Sequence, residues 1–186
     1  MTQVVRGDEM MYEYWLAETL VEKYQTRNPY ELLECIGAKV RYFYDDNSSS
    51  LKGFSTIQNR VMFAAINGHL NEHEKLIVVG HEAGHLIRHR DEILLSPFQA
   101  LRDFNLYDNS GRLEYQANSF LADFLVSDKD VLELMSNDDI DYFTLASELY
   151  IPPPLLAFKL HSMMLRDYKV SSPEGLHSKF LSRAND

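Results

Sequence analysis

The order of elements encoded in this chain predicts an α+β fold. It is mostly helical, with a small three-stranded sheet and a C-terminal helix-turn-helix-like pair. Strand-like alternation is confined to one stretch, residues 38–66. Helical periodicity runs before that stretch and for longer after it. Residues 140–168 hold two short helical patterns split by Pro152 and Pro153.

Residues 8–25 read as an amphipathic helix in which Tyr12, Leu16, Leu20 and Tyr24 line one face, with Trp15 beside them. Asn28 and Pro29 open a second helix as N-cap and first helical residue; Glu31 stands where a capping box needs it, and Gly37 ends the helix. Cys35 lies in the apolar pattern of that helix and is expected to pack. Three strands follow at 38–44, 51–57 and 60–66. The first alternates Val40, Tyr42 and Tyr44 against Lys39, Arg41 and Phe43, and the other two are close enough for a hairpin. Residues 71–90 form the next helix, with Asn71 and Glu74 as a capping pair and a buried run from Leu76 to Val79. Residues 91–111 contain Pro97 and the breaker Asn109-Ser110-Gly111 and are expected to be mostly irregular. Helices are predicted at 112–126, 140–149 and 154–168, with a polar, short-helical stretch at 127–139 and a loose polar tail at the end.

The composition excludes several classes. A net charge of −10 argues against a general nucleic-acid binder, because phosphate contacts need a basic surface. One cysteine excludes an internal disulfide and fits a reducing compartment. Residues 1–10 have no apolar run and carry Asp8 and Glu9, so no signal peptide is expected. No stretch approaches the roughly 20 apolar residues of a membrane span. The expected location is the cytoplasm.

The chemistry concentrates in His81-Glu82-Ala83-Gly84-His85. Two imidazoles four residues apart leave the same face of a helix and can grip one metal ion. Glu82 sits about 100° round the helix, within reach of a water at that metal without being a ligand. Two histidines do not complete a catalytic zinc site; a third protein ligand is needed, leaving one position for water. Glu114 is the candidate. It borders the apolar stripe Ala117, Leu121, Leu125, where an unpaired carboxylate is costly and a metal removes the cost. The same pattern also suits a rim glutamate that reaches solvent. Asn118, one turn on, is placed either to hydrogen-bond the outer nitrogen of a metal-bound histidine or to pack locally. Ala117 on that face lets the two helices approach closely. His89 shares the His81 face one turn further along and reads as a supporting or surface group, not a ligand. His69, His73, His161 and His177 have no partner spacing.

HEAGH, followed after a gap by EYQANSFLADFL, resembles the ImmA/IrrE family of metallopeptidases, which pairs HExGH with a downstream E-x-x-A-N-x-F-A helix. NPYELLECIGAKV and RVMFAAINGHL resemble the family's opening helix with its first strand and the strand leading into the motif helix, so the resemblance spans about residues 28–168. It implies a zincin-like peptidase. His81 and His85 match the histidine ligands, Glu82 the catalytic base and Glu114 the acidic ligand of a zinc ion, or of another divalent metal. Gly80 stands where the family often has Ala, Ala83 where it often has Leu, and Leu121 where it often has Ala. The implied layout is a metallopeptidase domain at 1–136, a helix-turn-helix-like subdomain packed on it at 137–170, and a polar tail at 171–186. The implied substrate is a helix-turn-helix transcriptional repressor of a mobile element, phage or stress circuit.

In that scheme Glu82 takes a proton from the attacking water and passes it to the leaving amine. Tyr107, Tyr115, Arg112 and His89 are candidate donors to the oxyanion. The strand nearest the motif helix is expected to bind an extended substrate by edge pairing. A contrasting reading is a protease-like binding module that sequesters a repressor or contacts DNA without cutting; the intact Glu82 argues against it. Within 143–165, a DNA-reading helix would offer only Lys159 and His161, flanked by Asp138, Asp139, Asp141 and Glu148. Tyr150 also occupies the turn position where glycine is common. Two helices packing on the core is the favoured reading.

Overall fold

The computed structural model describes residues 3–44, 51–95, 101–103, 111–136 and 140–170, of which 3–10 and 101–103 are described as backbone alone. Two helices, α1 (Gln3–Tyr24) and α2 (Pro29–Cys35), precede β1 (Lys39–Phe43), β2 (Gly53–Gln58) and β3 (Val61–Asn67). Then come α3 (Glu72–Arg88), α4 (Arg90–Leu95), β4 (Leu101–Asp103), α5 (Arg112–Leu125), α6 (Asp128–Met135), α7 (Tyr142–Glu148) and α8 (Pro153–Leu165). This is the expected α+β class. The three predicted strands form a mixed sheet, with β1 parallel and β2 antiparallel to β3. Asn59 and Arg60, at φ of 50° and 67°, make the tight β2–β3 connection that two-residue hairpins favour.

The stretch expected to be irregular is partly ordered instead. It holds α4 and β4, and β4 pairs with Gly53–Ser55 to give the order β1-β3-β2-β4. No local periodicity announces β4, because its partner strand lies far back in the chain. Helix α3 packs on both β2 and β3, and along Gly53–Ser55 both edges of β2 are taken, by β3 and β4. Substrate pairing to that part of β2 is therefore excluded.

Helix α3 is the central element, with β2 and β3 on one side and α5 and α2 on the other. Every residue from Ile77 to Leu86 is buried, histidines and Glu82 included. Its start is the predicted capping box: Asn71 Oδ1 accepts from the Glu74 amide at 2.8 Å, and Glu74 Oε2 accepts from the Asn71 amide at 3.3 Å. Small residues set the α3–α5 spacing. A Cβ on Gly84 would lie 3.2 Å from the Ala117 Cα, so the backbones meet where Ala117 was expected to permit it.

The departures from the family pattern at Gly80 and Leu121 are two sides of one contact. A Cβ on Gly80 would come within 2.4 Å of Leu121 Cδ1, so the larger residue on α5 fills the space the glycine leaves on α3. A double-mutant cycle should expose this. Leu121→Ala is expected to cost about 2–5 kcal/mol in urea unfolding, and Gly80→Ala about 1–3 kcal/mol through overpacking. The pair together should cost less than the sum by roughly 0.5–3 kcal/mol. Strict additivity would show that the two positions do not compensate.

Helix α1 packs Leu16, Leu20 and Tyr24 on the core as periodicity suggests, but its inward face is centred on other residues near its middle. Tyr12 and Trp15 are exposed, whereas Glu13 and Ala17 are buried. The reason is electrostatic: Glu13 Oε1 accepts from Arg88 Nε of α3 at 2.9 Å, and the Arg88 guanidinium lies 4.8 Å from the Tyr12 ring centre. Cys35 is exposed, not packed. Glu31 does not close a capping box on α2; Asn28 caps the Tyr30 amide, and Glu31 instead accepts from the Thr26 hydroxyl. Arg27 donates to the carbonyls of Asp123 and Phe124 at 2.9 and 3.0 Å, satisfying acceptors at the end of α5.

The C-terminal pair packs inward. Helix α8 lies against α5, α1 and α7. Tyr150 takes φ of 54° in the connecting turn, the strained geometry that favours glycine. Lys159 is fully buried and pairs with Asp123 at 2.9 Å and Asp128 at 2.8 Å. Ser162 donates to the other Asp123 oxygen at 2.6 Å, and Arg166 pairs with Asp128 while lying 3.5 Å over the Tyr14 ring. Burial pushes the Asp128 carboxyl up, but the hydrogen bonds and charges of Arg166 and Lys159 outweigh it and hold it at about 2. Lys159 is thus spent on the core and is not presented to DNA. The polar tail at 171–186 lies outside the described residues.

Candidate metal centre

His81 and His85 leave α3 on the face turned to α5, and Glu114 comes from the first turn of α5. The donor atoms converge. His81 Nε2 lies 3.0 Å from His85 Nε2 and 3.1 Å from Glu114 Oε2, and His85 Nε2 lies 3.4 Å from Glu114 Oε1. All three groups offer ligand atoms within 4.8 Å of one another. A tetrahedral zinc with bonds of about 2.0–2.2 Å has ligand–ligand edges of roughly 3.3–3.6 Å. The spacing therefore suits one small cation. Both histidines are fully buried, while the Glu114 side chain is 21% exposed, so the centre meets solvent on the Glu114 side.

Proton positions strengthen the fit. His81 Nδ1 lies 2.9 Å from Asn118 Oδ1; a carbonyl oxygen only accepts, so Nδ1 carries the hydrogen and Nε2 presents its lone pair inward. Burial, with His81 alongside, pushes His85 down to about 4 against the opposing pull of Glu114, so at neutral pH its ring is uncharged. Two lone-pair nitrogens and a carboxylate at these distances repel unless a cation or a proton sits between them. Protonated imidazoles, or a cation in their place, would outweigh burial and hold the Glu114 carboxyl well below the usual carboxylate range.

Glu82, about 100° round α3 from His81, packs against β2. The Ser55 hydroxyl donates to Glu82 Oε2 at 2.5 Å and also lies 3.1 Å from the Glu82 backbone carbonyl. A Cβ on Gly53 would lie 2.8 Å from Glu82 Oε1 and 2.6 Å from Val78 Cγ1, so the glycine admits the carboxylate against the strand. Sequence reasoning missed Ser55. The usable signal was Gly53, since a glycine inside a strand marks close approach of another element.

Further polar groups lie behind the two histidines. His89 is fully buried, with Nδ1 3.0 Å from His85 Nδ1 and Nε2 3.0 Å from Gln116 Oε1. It is therefore a buried group behind His85 and not a surface one. Tyr115 packs on Phe158 of α8 with ring centres 5.5 Å apart. Tyr107 lies outside the described residues.

Residues 33–161 match the family described as the IrrE N-terminal-like domain, Peptidase M78. A relative from Bacillus phage phi105, named uncharacterized immunity region protein 2, is 32% identical over 111 residues. The matched segment covers 60% of this chain and 66% of the relative, just under two thirds of its length.

Proposed function

Because the chain belongs to the family of IrrE N-terminal-like domains of peptidase family M78, we propose that it is a zinc-dependent endopeptidase. Its substrate on this reading is a regulatory protein, a helix-turn-helix repressor of a phage, mobile element or stress circuit. The observation that carries the catalytic part is the convergence of His81, His85 and Glu114 from two facing helices. The phage relative's immunity-region name supports the regulatory setting. Among the described residues no helix is long and apolar enough to cross a membrane, which suits a cytoplasmic encounter with such a partner.

His81, His85 and Glu114 would hold the metal. Zinc bound there supplies a Lewis acid that polarises a peptide carbonyl and acidifies water. Glu82 accepts the proton of the attacking water at its carboxylate and returns it to the leaving amine. Ser55 anchors one oxygen of that carboxylate, which limits the rotamers Glu82 can sample. Asn118 keeps the His81 proton on Nδ1, and so keeps Nε2 a ligand.

Purified protein should retain about one zinc per chain, the single open tetrahedral site described for such centres. Zinc at a hundred times its Kd should stabilise the fold by about 2.7 kcal/mol, seen as a rise of several degrees in melting temperature that chelator reverses. Co-incubation with a candidate helix-turn-helix repressor should yield two fragments, and chelator should prevent them. A protein that neither retains zinc nor melts higher in its presence would sink the proposal.

A further inference from the structure

We propose that His89 and Gln116 form a relay that selects which ring nitrogen of His85 faces the metal. It rests on the metal-centre reading above and deepens it. The relay has three links, and each forces the next. Gln116 Oε1 is an acceptor, so the His89 Nε2 at 3.0 Å carries a hydrogen. A neutral imidazole carries one hydrogen, so His89 Nδ1 is an acceptor. His85 Nδ1, 3.0 Å from it, must then be the donor. That leaves Nε2 of His85 unprotonated and directed at His81 Nε2 and Glu114 Oε1. If Gln116 presented its amide nitrogen, every link would reverse and His85 would turn an N–H toward the metal position.

The layout gives the relay its purpose. His81 receives its tautomer directly from Asn118 of α5. His85 lies a turn further along α3, where α5 offers Gln116, and the gap between the two is spanned by one extra imidazole. His81, His85 and His89 thus form a ladder at four-residue spacing, two members within α3 and the last at its C-cap. His89 is completely buried and Gln116 is 4% exposed, so water does not compete for these bonds.

Nitrogen-15 NMR of the imidazole rings in metal-free wild-type protein tests the first consequence: His85 should be the Nδ1–H tautomer and His89 the Nε2–H tautomer. The opposite assignment overturns the relay without any variant being made. Gln116→Leu removes the acceptor at similar volume and should weaken zinc affinity about 10–100-fold, measured by competition with a chromophoric chelator. In that variant His85 should partly adopt the Nε2–H form. Gln116→Glu keeps an acceptor at the same reach and should return the affinity to within a few-fold of wild type. Unchanged affinity and tautomer in Gln116→Leu overturn the proposal, as does a loss that Gln116→Glu fails to repair. A wild-type protein that shows the expected tautomers but binds no zinc would overturn the metal-centre reading and not the relay.

Discussion

Exchanging Glu82 for Gln is expected to lower peptide hydrolysis by about a hundred- to ten-thousand-fold, the usual worth of a positioned general base, while zinc content stays at the wild-type level. The separation follows from which way the side chains point. Glu82 is turned to Ser55 and Gly53 of β2, whereas His81 and His85 are turned to α5 and Glu114. Gln is nearly isosteric with Glu and can still accept from the Ser55 hydroxyl, so the fold should survive. Metal analysis and a cleavage assay on the same preparation check both halves. Cleavage at wild-type rate by Glu82→Gln would move the base elsewhere. Equal regulatory output from wild type and variant in cells would favour the binding module over the peptidase.

Lys159→Met should be among the most destabilising single changes in the molecule, by about 3–5 kcal/mol. The Lys159 ammonium is fully buried between Asp123 and Asp128. Removing it leaves Asp123, itself fully buried, with Ser162 and a more distant Arg166 at 3.8 Å. An uncompensated buried carboxylate is the costly part, not the loss of attraction. A combined Lys159→Met and Asp123→Leu variant should therefore recover much of the stability in urea unfolding. If the double variant is as unstable as the single one, the cost lies in packing and not in charge. Because Asp123 shares α5 with Glu114, the single variant should also loosen zinc binding.

Much of the centre is legible in the sequence. Four-residue spacing on a helix brings His81 and His85 to one face whatever surrounds them, and the capping box at Asn71 and Glu74 is a purely local arrangement. Glu114 was open to two readings from its own helix, because a flanking carboxylate serves a rim as well as a metal. Proximity of α5 to α3 places it beside both imidazoles. Other expectations failed for an identifiable reason. Tyr12 and Trp15 looked like core residues by periodicity, yet α1 turns inward on Glu13 because Arg88 of α3 meets it there. The packing of the C-terminal pair on the core was the favoured reading, but the two carboxylates that meet Lys159 come from α5 and the start of α6 and could not be named from its own helix.

Local backbone periodicity thus sufficed for most of the helices, for the first three strands and for bringing His81 and His85 to one face, since these depend on residues within a turn or a hairpin of one another; it did not give α4 or β4. The rest had to wait for the packing of distant segments. The anchoring of Glu82 by Ser55, the proton placement on His85 through His89 and Gln116, and the exchange of volume between Gly80 and Leu121 each join residues 27 or more positions apart, or act through one that is. Hydrogen bonds and van der Waals contacts act over a few ångströms, and no spacing along a chain reveals which remote side chains come within that range.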